Sequence, residues 1–193
     1  QNVESLGIKF AKKLGVKTSF DSINAFLHET IPSEIVFDAT SANAHKIHAP
    51  ILKRLGKFVI DMTPSRVGKM CIPIINMEDC LAVKNINMIS CGGQDTTPIV
   101  RAILDVHPET EYVEIVSHIA SKSAGMGTRD NIDEYTQTTC DGIRDFTNVK
   151  KAKAIISLNP AEPPILMHNS IFAQINNPNL KILKIKINEV VSK

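Results

Sequence analysis

The sequence holds no tryptophan and only two tyrosines among 193 residues. Single-stranded nucleic acids are held largely by stacking on aromatic faces, so that binding class is disfavoured. The charge balance agrees. Basic residues number 22 and acidic ones 20, a net charge of +2 with no basic stripe. Lys150, Lys151 and Lys153, and again Lys181, Lys184 and Lys186, form lysine-rich stretches that read as solvated surface, with enough charge to meet a phosphate-rich ligand. No apolar run approaches the roughly 20 residues of a membrane helix. The opening QNVESLGIKF lacks the basic and apolar succession of a signal peptide. Nine glycines and ten prolines are too few for a collagen or a linker. The expectation is a globular protein that binds neither nucleic acid nor membrane.

Cysteine is scarce as well: Cys71, Cys80, Cys91 and Cys140. None forms a CxxC pair and no histidine stands at zinc-ligand spacing, so no metal site is expected. Without a secretion signal a disulfide framework is not expected either. The thiols should be reduced, as in a cytoplasm. What the sequence does have is 43% hydrophobic residues, enough to build a core.

The pattern alternates helix and strand. Glu4 to Leu14 reads as a helix stopped by Gly15, and Val16 to Phe20 as a short strand. Asp21 or Ser22 can cap a short helix through His28. Ile35-Val36-Phe37 reads as a buried strand, and Ser41 caps a helix to Leu55 that Pro50 kinks or restarts. Phe58 to Ile60 and Ile86 to Ser90 are further apolar strands, separated by a loop from Met62 to Ile74 and a short helix capped by Asn76. Strands of continuous apolar character joined by helices predict a parallel sheet covered by helices, an α/β fold. Beyond it come a helix from Thr96 to Val106, a strand from Tyr112 to Ala120, a helix from Asp130 to Phe146 and strands at Ala154 to Leu158 and Leu180 to Ile187.

Cys91 lies between a strand end and a helix, flanked by Gly92 and Gly93. Glycines admit positive φ and close backbone approach, and a helix start offers N–H donors to a thiolate or an oxyanion. That suits a nucleophile. A buried cysteine at a tight turn fits the same spacing, and spacing alone does not choose. The segment Ser123 to Arg129 is small and glycine-rich and can bring backbone amides against a phosphate or sugar, with Arg129 placed to pair with an anion. The scattered histidines, His45, His48, His107, His118 and His168, are given no role.

Asn87-Met88-Ile89-Ser90-Cys91-Gly92-Gly93-Gln94 resembles the active-site segment of the acylating acetaldehyde dehydrogenases. The likeness continues through Phe37-Asp38-Ala39-Thr40-Ser41-Ala42, Ile60-Asp61-Met62-Thr63-Pro64, Ser121 to Arg129, Asn131-Ile132-Asp133-Glu134 and Asn159-Pro160-Ala161-Glu162-Pro163-Pro164. It implies a partial Rossmann-type parallel sheet in an NAD-binding domain, residues 1–90, followed by an α+β catalytic and dimerisation domain, residues 91–193. It implies that Cys91 is the catalytic nucleophile. It implies that Ser123, Ala124, Gly125, Met126, Gly127, Thr128, Arg129, Asp130 and Asn131 contact NAD. The implied reaction converts a short-chain aldehyde, NAD and coenzyme A to acetyl-CoA and NADH through a Cys91 thioester. The implied partners are a second copy of the chain and 4-hydroxy-2-oxovalerate aldolase, in a homodimer or heterotetramer. A semialdehyde or acyl-phosphate reductase that uses phosphate, and a non-catalytic aldolase-docking subunit, are the alternatives.

Two departures accompany the likeness. The family's GxGxxG turn is not in this sequence, which reads as an internal piece of a longer protein and should bind NAD weakly alone. Asn169 stands where the family typically has an aspartate thought to assist the chemistry, so a weakened turnover is expected, raised by Asn169→Asp.

Overall fold

A computed structural model describes residues 5–28, 33–124, 126–129 and 131–192. The chain divides into two units, Gln1–Glu34 and Ile35–Lys193. In the first, helix α1 (Leu6–Lys13) starts at Ser5, whose hydroxyl accepts from Ile8 N at 3.3 Å. Gly15 follows it at φ +71°, the left-handed turn that glycine adopts without strain. A 3-10 turn covers Ser22–Leu27 without a side-chain cap. The expected strand from Val16 to Phe20 does not form. All of these residues but the half-buried Thr18 are exposed, they have no partner strand among the described residues, and Phe20 lies under the Lys12 ammonium instead, 5.8 Å from the ring centre.

The second unit contains both sheets. Strands β1 (Ile35–Asp38), β2 (Phe58–Asp61), β3 (Lys69–Met70) and β4 (Asn85–Asn87) form a parallel sheet in the order β1-β2-β4-β3. Helix α2 (Ala42–Arg54) joins β1 to β2, capped as expected by Ser41, and runs unbroken through Pro50. Helix α3 (Pro73–Leu81) joins β3 to β4. Asn76 does not cap it but kinks it at φ −144°, accepting from Ile72 N and donating to Met70 O. The expectation that β1 is buried on both faces holds for one. Val36 and Asp38 face inward, while Ile35 is 55% and Phe37 64% exposed.

Helix α4 (Cys91–Val106) leads to the second sheet, where β5 (Tyr112–Ala120) is central. It pairs in parallel with β6 (Lys151–Asn159) and antiparallel with β7 (His168–Ala173). Between β5 and β6 run the short α5 (Met126–Arg129) and α6 (Ile132–Thr147). Val100 of α4, Val113 and Ile115 of β5 and Ile143 of α6 are fully buried together and fix α4 and α6 against the sheet.

The last expected strand is a helix, α7 (Leu180–Val191). The local alternation of Leu180, Lys181 and Ile182 suggested period two. Only Leu183, Ile187 and Val190 are partly buried, however, spaced four and three apart as a helix face requires, and α7 packs on α4. Asn179 supplies its cap, accepting from Ile182 N at 3.2 Å. Among the described residues no helix is long and apolar enough to cross a membrane.

Candidate active site

The route from β4 into α4 is a sharp turn held by buried polar groups. Asp61, fully buried at the end of β2, accepts from Thr63 N (2.8 Å), Ser65 Oγ (2.5 Å) and Asn87 Nδ2 (2.7 Å). Asn87 also donates to Thr63 O and accepts from Ile89 N at 3.0 Å. The chain then turns at Ile89, whose φ of +62° is strained for a β-branched residue. Packing holds it there: Ile89 is 1% exposed and fills the space left by Gly93 and Gly142, where a Cβ would meet its side chain at 2.7 and 3.0 Å.

Ser90 is the N-cap of α4, accepting from Gly93 N at 2.9 Å and sharing a 2.7 Å hydrogen bond with Thr139 of α6. Cys91 is therefore the first helical residue. The expected loop before the helix is already its first turn, and Cys91 is the exposed cysteine of the four. The glycines after it act through size. Neither is among the positive-φ residues. A Cβ on Gly92 would collide with the Tyr135 hydroxyl and stand 2.7 Å from Ser117 Oγ. Both glycine N–H groups also have partners, Gly92 donating to Tyr135 Oη at 3.1 Å and Gly93 to Ser90 Oγ. The expectation that they stand open for an oxyanion is corrected by these bonds.

Cys91 opens on a crevice of about 610 Å³ at the C-terminal ends of the parallel strands. Phe37 of β1, Ile60 and Met62 at the end of β2, and Met88 and Ile89 after β4 form apolar walls. Tyr135, Thr128 and Asn131 close the other side. Open α/β sheets bind ligands at this edge, because helix starts and loops converge there. The wall is tied across, with Thr138 of α6 donating to Pro64 O at 3.0 Å and Arg66 pairing with Asp141 at 2.6 Å.

Of the expected cofactor loop, Thr128 and Asn131 reach the crevice with Cys91. Ser123 is exposed and Ala124 is buried, and neither lines the crevice. Arg129 bonds within its own loop: Nε donates to Ala124 O (3.0 Å), and Nη2 to Ser121 O (2.9 Å) and Oγ (2.8 Å). Gly125 and Asp130 lie outside the described residues. So do the side chain of Met126 and the surroundings of Gly127.

Several polar residues here escaped the sequence reading. Tyr135 accepts the Cys91 thiol hydrogen bond at 3.8 Å. Burial first, then the neighbouring Cys91 charge, pushes its phenol up to about 12. The usable signal was a tyrosine on the apolar stripe of α6, since a buried phenol needs a partner. His45 and His48, three apart on α2, each place Nδ1 2.9 Å from the Asp38 carboxylate, which Thr40 also meets at 2.5 Å. Burial acts to raise the Asp38 carboxyl, but hydrogen bonds from His45, Thr40 and His48 hold it well below the usual carboxylate range. Burial, with Cys80 adjacent, pushes Cys71 up to about 12, and burial raises Cys140. Among the described residues no cluster of side chains suits a metal ion.

Residues 91–193, from the first residue of α4 onward, match the family described as prokaryotic acetaldehyde dehydrogenase, dimerisation. The chain belongs to this acetaldehyde dehydrogenase family. Full-length relatives agree. Acetaldehyde dehydrogenase of Pectobacterium atrosepticum is 49% identical over 195 residues, covering 100% of this chain and 66% of the relative. That of Carboxydothermus hydrogenoformans is 50% identical, covering 98% and 63%, and that of Geobacillus stearothermophilus 54%, covering 88% and 58%. The chain thus spans less than two thirds of the length of these relatives. The fold is shared with aspartate semialdehyde dehydrogenase II of Vibrio cholerae complexed with ASA (TM-score 0.59, 13% identity, 81% of this chain and 56% of that one). It is also shared with aspartate semialdehyde dehydrogenase with NADP from Candida albicans (TM-score 0.57, 14% identity, 79% and 54%).

Proposed function

We propose that this chain carries the acyl-forming centre of an NAD-dependent acetaldehyde dehydrogenase that delivers its product to coenzyme A. The observation that supports the reading best is the position of Cys91: exposed, first in its helix, and opening on the crevice at the carboxyl ends of the parallel sheet. Family membership and the identity to named acetaldehyde dehydrogenases support the substrate class. On this reading residues 1–90 contribute to the nucleotide domain and 91–193 to the catalytic and dimerisation domain. The chain works as a homodimer, with 4-hydroxy-2-oxovalerate aldolase as its partner.

Cys91 attacks the aldehyde carbonyl carbon through sulfur and forms a hemithioacetal. Phe37, Ile60 and Met62 line the crevice with apolar surfaces that fit a nicotinamide ring, with Thr128 and Asn131 as its polar neighbours. NAD, when bound, supplies the hydride acceptor. With the carbon-bound hydrogen lost as hydride and the hydroxyl proton lost to solvent, Cys91 would hold the acyl group as a thioester. The coenzyme A thiolate attacks that carbonyl, and the Cys91 sulfur leaves.

The test is NADH formation by the complete polypeptide with acetaldehyde and NAD, with coenzyme A or inorganic phosphate as acceptor. Turnover that requires coenzyme A and is lost in Cys91→Ala is expected. Turnover with phosphate alone would assign the chain to acyl-phosphate chemistry. Turnover retained in Cys91→Ala would remove the nucleophile.

A further inference from the structure

A line of hydrogen bonds leads from Cys91 to the surface of its own helix. The Cys91 thiol donates to Tyr135 Oη at 3.8 Å, and the Tyr135 hydroxyl donates to Ser117 Oγ at 3.3 Å. Ser117 donates to Asn169 Oδ1 at 2.5 Å, and Asn169 Nδ2 donates to the Asp95 carboxylate. Each residue is placed by a different feature. Cys91 and Asp95 stand four apart on α4, Tyr135 is on α6, and Ser117 of β5 is the register partner of Asn169 on β7.

The directions along this line are forced from its outer end. An ionised carboxylate only accepts, so the Asn169 amide must present nitrogen to Asp95 and oxygen to Ser117. An amide oxygen only accepts, so Ser117 gives it its single proton. Tyr135 must then give its proton to Ser117. Its oxygen is left with lone pairs facing the N–H of Gly92 and the sulfur of Cys91. The phenol keeps that proton throughout the neutral range, because burial raises it to about 12. A thiol can donate to such an oxygen, whereas a thiolate meets no donor there.

We propose that Asp95 is a positioning residue that sets the direction of the Tyr135–Ser117–Asn169 hydrogen-bond line, and through it restrains the reactivity of Cys91. With the Asp95 charge removed, the amide is free to turn. Asn169 Nδ2 then donates to Ser117, Ser117 to Tyr135, and Tyr135 to the Cys91 sulfur. No covalent bond changes; only the orientation of one amide and two hydroxyl protons reverses. The ionisable groups on the line are Cys91 and Asp95 from α4 and Tyr135 from α6. Strands β5 and β7 contribute Ser117 and Asn169, and α7 contributes Val190 and Val191, which share a cavity with Asp95 and Asn169. The stacked pair His118 and His168, 4.6 Å between ring centres, lies one residue along each strand and so on the opposite face of the sheet.

The inference rests on the reading of Cys91 as the nucleophile, and alkylation tests the two separately. Iodoacetamide rates at each cysteine are read by peptide mass spectrometry across pH for the unsubstituted chain, Asp95→Ala and the isosteric Asp95→Asn. Each is repeated in a Tyr135→Phe background. At pH of about 7 either Asp95 variant should alkylate Cys91 about tenfold faster, the factor one charge-assisted hydrogen bond gives. The rates should converge at high pH, where ordinary thiols are ionised, and the acceleration should vanish with Tyr135→Phe. Unchanged rates in both Asp95 variants would overturn the proposal. So would an equal acceleration with Tyr135→Phe, which would assign the effect to the Asp95 charge acting through space. Failure of Cys91 to react in any variant would overturn the nucleophile itself and the restraint with it.

Discussion

Gly92→Ala sets two effects of similar size against each other. Alanine exceeds glycine in helix propensity by about 1 kcal/mol, so in open space the change would stabilise α4. Gly92 is not in open space: the added methyl would overlap the Tyr135 hydroxyl and lie 2.7 Å from Ser117 Oγ. Tyr135 is buried within α6 and Ser117 within the central strand β5, so neither can yield freely. Overpacking of this kind costs about 1–3 kcal/mol. Separating Gly92 N from Tyr135 Oη, now 3.1 Å apart, costs about 1 kcal/mol more. The bond loss offsets the propensity gain and the clash decides the sign, a net loss of about 1–3 kcal/mol. At roughly 2–4 °C per kcal/mol for a chain of this size, the melting temperature should fall by several degrees. Thermal unfolding followed by circular dichroism measures it. The penalty should shrink in Tyr135→Phe, which removes the first obstacle. A melting temperature that is unchanged or raised by Gly92→Ala would refute the packing argument.

Three further outcomes follow from neighbouring contacts. Ile89→Gly relieves about 1–3 kcal/mol of φ strain but leaves the space beside Gly93 and Gly142 empty, at about 2–5 kcal/mol. The urea midpoint should therefore fall, and a raised midpoint would mean that strain outweighs packing. The Asp38 carboxyl is depressed in the folded state, so its contribution is complete above the unfolded value of about 3.9 and is lost as pH falls through the folded value. Asp38→Asn should flatten the acid limb of stability below about pH 4, and an unaltered limb would exclude Asp38 as its source. Asn169→Asp would set a second carboxylate against Asp95, raising the carboxyl value of the pair and lowering stability at neutral pH. Stability of that variant should recover as pH falls toward about 4, and pH-independent urea midpoints would contradict the contact.

The parallel sheet was legible because β1 and β2 are short apolar runs separated by a capped helix and turn residues, signals that are local in the sequence, whereas the apolar run expected from Ile86 to Ser90 forms a strand only over Asn85–Asn87 before the turn at Ile89. The position of Cys91 next to a helix start was legible for the same reason. Its helix begins five residues earlier than the pattern indicated, because Ser90 caps it and Gly92 and Gly93 weakened the helical signal. α7 was misread since an eight-residue run of mixed Leu, Ile and Lys satisfies both periods, and only its packing on α4 selects one. Strand β7 carried no alternation strong enough to notice. The polar line through Tyr135, Ser117, Asn169 and Asp95 joins residues up to 74 positions apart, so no window along the chain contains it. The same holds for Asp61 and Asn87, 26 positions apart, whose hydrogen bond shapes the turn before Cys91.

The central claim is that Cys91 carries the acyl group. Acetyl-CoA incubated with the chain should acetylate it by the reverse of the final step, Cys91 sulfur attacking the thioester and coenzyme A leaving. The account predicts the mass of one acetyl group on the peptide that begins α4, removed by hydroxylamine and absent in Cys91→Ala. Acetylation of Cys140 in place of Cys91, or none on any cysteine, would contradict it.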